Sequence, residues 1–396
     1  MPAPVPNART RLIEESVTLA IAARALALKA AGRDVVSLGA GEPDFPTPER
    51  IARAGVQAIE QGRYRYTATS GAPELRAAGA RWFEAAFGLR YAPDEVMVTA
   101  GAKPALLMAL DTIVEPGDRV LILAPYWVSY PALVRMAGGE PVIVEPVPDQ
   151  GFAHDAAAIE AAVRRSGARG LIVNYPNNPS GAVPSKAQIE ALVRVAEQHD
   201  LWIVSDEIYA QLRYDGAEHV SPAACPGGRE RSLVVSGFTK SHTLTGWRIG
   251  FLAGSKAVIE AAGRVQSQVL GNPCTISQEA ARAACAEPPH EEAARRVVAF
   301  DERRRFLLAE INKLPGLRLS PPRGAFYALV DARELCARRR LSDLQIGQRL
   351  LEDQLLATVP GSAFGIPGFV RLSYAASMSD LQKGVARLYA FANGER

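Results

Sequence analysis

Runs of consecutive apolar residues, more than strict alternation, mark residues 95–255: VMVT (96–99), RVLIL (119–123), PVIVE (141–145), GLIVN (170–174), LWIVS (201–205), SLVVS (232–236) and RIGFLA (248–253). Between several of them lie stretches of helical spacing, such as Lys186 to His199, apolar at Ile189, Leu192, Val193 and Ala196. A strand apolar at every position is covered on both faces. The pattern therefore predicts an α/β domain of three layers (αβα), with a mostly parallel sheet of about seven strands. Ligands of such sheets bind beyond the carboxyl ends of the strands.

After Pro288-Pro289 the pattern changes. A charged helix from His290 to Leu314 leads to LRLSPPRGAFYALVD, a helix from Ser342, then ATVPGSAFG, FVRLSYA and a last helix from Ser379. The two-residue alternation of FVRLSYA predicts a half-buried strand. This is a second, smaller α+β domain. The expected division is an N-terminal segment 1–48 that joins the smaller domain, a large domain 49–287 and a C-terminal domain 288–396. The Pro/Ala-rich first ten residues read as loose.

The 396 residues are 48% hydrophobic and 22% charged, ordinary for a globular protein with two cores. A net charge of +3 without clustering gives no support for nucleic-acid or membrane-surface binding, and Arg338-Arg339-Arg340 reads as a solvated patch. Cys225, Cys274, Cys285 and Cys336 are scattered without CxxC spacing, and the N-terminus lacks a signal-peptide core; both point to the cytoplasm. The five histidines lack metal-ligand spacing. The stretch from Val17 to Ala31 is too short and too charged to cross a bilayer, and predicts a helix packed on a core or a partner subunit.

Three places carry candidate chemistry. In VTAGAKPALL (98–107), Pro104 predicts the first helical position, which puts Lys103 beside the positive end of a helix dipole; either its side chain swings into water or an anion brings the two together. In SDEIYA (205–210), Asp206 ends an apolar strand, where a carboxylate needs a partner; a helix cap or an ion pair would serve on this evidence alone. In SGFTKSHTLTGWRIG (236–250), Lys240 follows a buried strand, with Arg248 eight residues on. A desolvated lysine among cations becomes an amine nucleophile toward aldehydes.

These segments, with GEPDFPTP (41–48), YRYTATSGAPELR (64–76), PYWVSYP (125–131), NYPNNPSGAV (174–183) and VRLSYA (370–375), occur in an order that resembles the pyridoxal-phosphate-dependent class I aminotransferases, in particular the bacterial aspartate aminotransferase-like branch. The resemblance runs from about Leu12 to the C-terminus. It implies the fold type I architecture, a homodimer and the cofactor pyridoxal 5′-phosphate, which supplies an electron sink that the protein must bind and tune. Lys240 resembles the family's Schiff-base lysine and proton shuttle, and Asp206 the partner of the protonated pyridine nitrogen. Tyr209, one helical turn beyond, and Asn178 correspond to the groups that bond the ring's phenolic oxygen, and Trp127 to the stacking ring. Arg248 is implied as the phosphate's charged partner, with the N–H groups at Gly101, Ala102 and Lys103 beside it. Tyr66 corresponds to the tyrosine that reaches the phosphate across the dimer.

On the substrate side Arg371 resembles the fork for the α-carboxylate, Asn178 touches its edge, Trp127 borders it and Gly41 lets backbone come close. Lys103, with Thr18 and Ser16 at the same end, corresponds to the residues facing the distal carboxylate of a dicarboxylic substrate. The implied reaction is a ping-pong transfer of the amino group of aspartate to 2-oxoglutarate. Alternatives are an aminotransferase for prephenate, kynurenine or a specialised acid, lyase or cyclising chemistry, and a non-catalytic cofactor-binding regulator. Regulators of that kind carry a DNA-binding segment before the matching part, and only about a dozen residues precede it here. No GxGxxG turn opens an early helix and no GxSxG elbow occurs. Gly237 departs from the serine of some relatives, which leaves Thr239 and Ser236 as phosphate candidates; QSQVLGNPCTISQ (266–278) is less typical and expected near the subunit interface.

Overall fold

The computed structural model describes residues 5–13, 15–146, 151–286, 288 and 291–394. Residues 1–4 of the expected loose stretch, Glu287 at the expected domain boundary, and Pro289 and His290 lie outside the described residues.

After β1 (Val36–Ser37) come the strands of the main sheet: β2 (Val96–Thr99), β3 (Arg119–Leu123), β4 (Glu140–Val144), β5 (Gly170–Asn174), β6 (Trp202–Asp206), β7 (Ser232–Ser236) and β8 (Gly250–Ala253). Their order is β2-β8-β7-β6-β5-β3-β4, and β8 alone runs antiparallel to its neighbours. Successive residues feed opposite cores, which is why the runs are apolar at every position. Val120, Ile122, Ile172 and Val204 pack under Leu106, Ala109 and Leu110 of one layer. Leu121, Leu171, Val173 and Ile203 pack under Ile159, Val163, Ile189 and Val193 of the other.

Several boundaries differ from the pattern. β6 ends one residue later than LWIVS because Asp206 still pairs with Asn174 and Val235, and β4 starts and ends one residue earlier than PVIVE. β8 starts at Gly250 rather than Arg248, whose φ of 50° is incompatible with a strand. The helix expected to end at His199 runs Lys186–Gln198, with His199 as its C-cap.

The smaller sheet is antiparallel, with β9 (Arg318–Leu319), β10 (Tyr327–Asp331), β12 (Val359–Pro360) and β13 (Phe369–Ser373) in the order β12-β13-β10-β9. Between β10 and β12 in the chain, β11 (Leu356–Ala357) pairs in parallel with β1, so the N-terminal segment is tied to the C-terminal region. β13 is buried at every position, which corrects the half-buried expectation. Its alternation is real, but the polar face looks into the interior rather than toward water.

Six helices matter below: α1 (Val17–Ala30), α2 (Ala102–Ile113), α3 (Thr275–Cys285), α4 (Glu291–Ile311), α5 (Asp343–Glu352) and α6 (Met378–Asn393). α2 begins two residues before Pro104, with Gly101 as N-cap at φ 102°, so Lys103 lies inside the first turn. Ser342 and Ser377 cap α5 and α6 through their side chains, the second placing the helix start at Met378 rather than Ser379. α4 stops at Ile311, short of Leu314. Arg338 and Arg339 are not merely solvated: they donate to Ala392 O (2.7 Å) and Phe391 O (3.0 Å), neutralising the end of α6. α1 buries Ala25 and leaves Leu19 and Leu26 about two-thirds exposed. No helix among the described residues is long and apolar enough to cross a membrane, and no cluster of metal-ligating side chains occurs among them.

Candidate active site

A cavity of about 210 Å³ opens at the carboxyl ends of β5, β6 and β7. Of the residues singled out in the sequence, Gly41, Thr18, Ala102, Lys103, Trp127, Asn178, Asp206, Tyr209, Lys240, Arg248 and Arg371 line it. Gly101 lies just behind, and Tyr66 is elsewhere, 97% exposed.

Asp206 is the last residue of β6 and almost fully buried. Its carboxylate accepts from the Tyr130 hydroxyl (2.8 Å) and from the Ile208 N–H (3.3 Å). The second bond is an Asx turn, and it corrects the expected helix at Tyr209. With Ile208 N–H captured by a side chain, the backbone continues in turns, Ala210 N–H to Glu207 O and Leu212 N–H to Tyr209 O. Tyr209 still reaches the cavity, its hydroxyl 2.8 Å from that of Tyr327. Burial pushes the Asp206 carboxyl up to about 6, with Glu207 adding to the rise and Tyr130, Ile208 N–H and Lys240 opposing it.

Lys240 follows β7 and donates to Gly41 O at 2.6 Å. Burial pushes its amine down to about 8, helped by Arg248 and Arg371 and opposed by Glu42 and Asp206. A Cβ on Gly41 would meet the Tyr327 hydroxyl at 2.6 Å, so only glycine lets this carbonyl reach the amine without displacing the tyrosine.

At the other side, the Arg248 guanidinium lies against Gly101, where a Cβ would stand 2.6 Å from its Nη2. It donates to Thr245 O (2.8 Å) beside the first turn of α2, whose leading N–H groups have no partner within the helix. Thr239 lines the cavity, whereas the Ser236 hydroxyl donates to Glu207 O (3.3 Å) away from it. Lys103 places Nζ 4.9 Å above the centre of the Trp127 ring, and burial together with Arg248 lowers its proton affinity.

Arg371, on the polar face of β13, is 2% exposed. It donates to Asn178 Oδ1 (3.0 Å) and Gly39 O (2.7 Å), stacks over Tyr327 and Phe364, and keeps Nε without a partner among the described residues. Thr18 Oγ1 is likewise buried and unbonded, while Ser16 caps α1 without a side-chain bond and lies off the cavity. Buried orphan donors facing a cavity are expected where a ligand supplies the acceptor.

Sequence reading missed Tyr130, Asn174 and Tyr327, all lining the cavity. Asn174 donates to Asp206 O (2.9 Å) and accepts from Asn178 N–H (2.9 Å). It carried the same signal as Asp206, a polar residue ending an apolar strand. Tyr130 sat inside a motif already noted; Tyr327 had no local signal.

The sequence matches the family described as aminotransferase class I and II over residues 33–388. The aspartate/prephenate aminotransferase of Thermus thermophilus is 43% identical over 96% of this chain and 96% of its own length. The aspartate aminotransferase of Bacillus subtilis is 39% identical over 97% and 98%. Among solved structures, the aspartate aminotransferase of Rhizobium meliloti superposes with a TM-score of 0.94 at 38% identity, covering 99% of both chains. The Thermus thermophilus aspartate aminotransferase with maleate superposes with a TM-score of 0.91 at 42% identity, covering 98% of this chain and 99% of that one.

Proposed function

The chain belongs to the class I and II aminotransferases, pyridoxal-phosphate enzymes of fold type I, and from that premise we propose that it transfers the amino group of aspartate to 2-oxoglutarate. The observation that carries the reading is one cavity holding a depressed amine at Lys240, a buried carboxyl at Asp206 and an Arg371 fork with an unused Nε.

The residues present fit the cofactor. An anion-ready first turn of α2 lies beside the Arg248 guanidinium, and a carboxylate stands across the cavity from a buried amine. Pyridoxal phosphate, when bound, supplies the electron sink for the bond-breaking at the substrate's α carbon. Lys240 would hold it through its aldehyde carbon and then carry the proton at the α carbon, a task suited to an amine near 8. Asp206 would keep the ring nitrogen protonated; a cation there lowers the carboxyl's proton affinity again. Tyr209 and Asn178 would bond the phenolic oxygen and Trp127 would cover the ring face. Arg248, Thr239 and the N–H groups at Gly101, Ala102 and Lys103 would hold the phosphate. Arg371 would take the α-carboxylate through Nε and one Nη, with Asn178 and Gly41 at its edge.

Lys103 and Thr18 would face the distal carboxylate. The aspartate names of the relatives and the maleate, itself a dicarboxylate, in the Thermus neighbour support this. The name of the Thermus relative adds prephenate, a second dicarboxylic acid, as an alternative acceptor. Tyr66 would serve the site of a second subunit, which makes the enzyme a homodimer. The division into 1–48, 49–287 and 288–396 belongs to the same proposal and is supported by the β1–β11 pairing. So does a cytoplasmic location, supported by the free cysteines.

Half-reaction spectroscopy tests the reading. The cofactor-loaded protein is mixed in turn with aspartate, glutamate, alanine, phenylalanine and arginine, and conversion to the aminated cofactor is followed. Aspartate and glutamate should react fastest; faster reaction with a monocarboxylic or cationic donor would overturn the dicarboxylate assignment. Prephenate offered with glutamate as donor separates the two acceptors.

A further inference from the structure

Immediately behind Asp206 lies a second buried carboxylate that the reaction does not use. The Glu207 side chain is completely buried. Its backbone N–H extends the β6–β7 ladder by one bond to Val235 O (2.8 Å), so successive side chains still point to opposite faces of the sheet. Asp206 faces the cavity; Glu207 turns away from it. There Oε1 accepts from Ser205 (2.8 Å) and Ser221 (2.6 Å), and Oε2 lies 2.8 Å from His219 Nε2. The His219 side chain is 3% exposed and its ring packs edge-on against Phe87.

A carboxylate buried this deeply requires such donors, and once they are supplied the group becomes a rigid fixture. Three donors from two segments, β6 itself and the 219–221 loop, converge on this carboxylate. Their common effect is to pin the backbone on which Asp206 and Tyr209 ride.

We propose that Glu207, held by Ser205, Ser221 and His219, is the positioning residue for Asp206, fixing the orientation of that carboxylate and placing a second carboxylate behind it. The inference rests on Asp206 as the partner of the cofactor's ring nitrogen. In that role the neighbouring charge helps hold a proton on the nitrogen. The groups facing Asp206 are Tyr130, Tyr209 and Lys240; those around Glu207 are His219, Tyr91 and Cys225, with Arg229 stacked over the Tyr91 ring. The contribution of Glu207 to raising the Asp206 carboxyl is in keeping with this arrangement.

Glu207→Gln keeps the length and one acceptor oxygen and removes the charge. In the cofactor-free protein, the Asp206 carboxyl 13C resonance, identified by its loss in Asp206→Asn, should titrate at lower pH than in the wild type. In the loaded protein, the pH midpoint of the visible absorbance band should move. The kcat with aspartate should fall by about tenfold or more while KM stays within about twofold, the scale on which outer-layer partners act. Ser221→Ala, which keeps the charge and removes one anchor, should lower kcat in the same sense, and Ser221→Thr should restore it.

An unmoved Asp206 titration with unchanged kcat in Glu207→Gln overturns the inference, even if that variant melts at a lower temperature. If Glu207→Gln does not fold, the serine pair decides: equal kcat in Ser221→Ala and the wild type overturns it. Full activity of Asp206→Asn would overturn the reading of the site itself, whatever Glu207→Gln does.

Discussion

Lys240 and Asp206 face each other with opposite displacements, an amine pulled down to about 8 and a carboxyl pushed up to about 6, each mainly by burial. Ionising such buried groups costs the fold stability. The folded-state value of Asp206 lies above its ordinary 3.8, so ionisation destabilises the fold. The penalty is absent below the ordinary value, grows between it and about 6, and is complete above that. Asp206→Asn should therefore stabilise the cofactor-free protein at pH 8 by on the order of 2–3 kcal/mol and change little at pH 4. Melting curves at the two pH values check this; equal gains at both would mean that packing, not charge, is responsible. Lys103 is the residue to test for substrate choice. Lys103→Ala should lower kcat/KM for aspartate and glutamate by roughly 10- to 100-fold, the worth of a charge-assisted hydrogen bond, and spare alanine. Equal losses across the donors would remove the distal-carboxylate role. At this scale the sequence marked Asp206 and Lys240 by their place at or just past the end of an apolar strand, whereas Arg371, in the middle of β13, was marked only by the family resemblance. Tyr327 was not, because its place in the cavity arises from β10 docking against the Tyr209 turn, a contact 118 residues apart in the chain.

The elements were legible where continuous apolar runs left one solution, a sheet covered on both faces, and less so at their ends. The start of α2 depended on Gly101, whose positive φ lets the chain turn into the helix two residues before the proline that marked it. That glycine serves a turn and a close approach together, since any Cβ would strike Arg248. Gly101→Ala should cost about 1–3 kcal/mol of stability from the strained backbone. It should also weaken cofactor binding by about tenfold or more, because Arg248 must move off the helix N-terminus. Equilibrium dialysis with pyridoxal phosphate measures the second effect, and unchanged affinity would argue against a phosphate site there. β13 teaches a related lesson. Its polar positions, Arg371 and Ser373, alternate as on an amphipathic strand, yet the face they mark is buried, with Arg371 lining the site. Periodicity distinguishes two faces; it does not say what lies beyond each.

At the scale of the whole molecule, hydrophobic periodicity says nothing about a site shared between two chains, which here is implied only by the family resemblance of the Tyr66 segment. Tyr66 is 97% exposed and lies outside the cavity, on a loop fastened from behind. Gln278 donates to Thr67 Oγ1 (3.0 Å), Gln266 to Thr69 O (2.7 Å) and Thr275, at the start of α3, to Arg65 O (2.7 Å). These bonds give a role to part of the 266–278 segment, which holds the tyrosine loop in shape. Tyr64, Val269 and Leu270 are each about half exposed or more, an apolar surface that a second subunit would cover. If Tyr66 completes the partner's site, two inactive proteins should repair each other. Lys240→Ala lacks the amine; Tyr66→Ala is competent in every other group but fails its neighbour. In a mixed dimer one site then carries both defects and the other carries none. After subunits are exchanged at equal amounts, half of the dimers are mixed, so about a quarter of all sites regain wild-type composition. Activity should rise toward that fraction from two nearly silent preparations. If Tyr66 instead served its own chain, every site in the mixed dimer would keep one defect, and exchange would restore nothing.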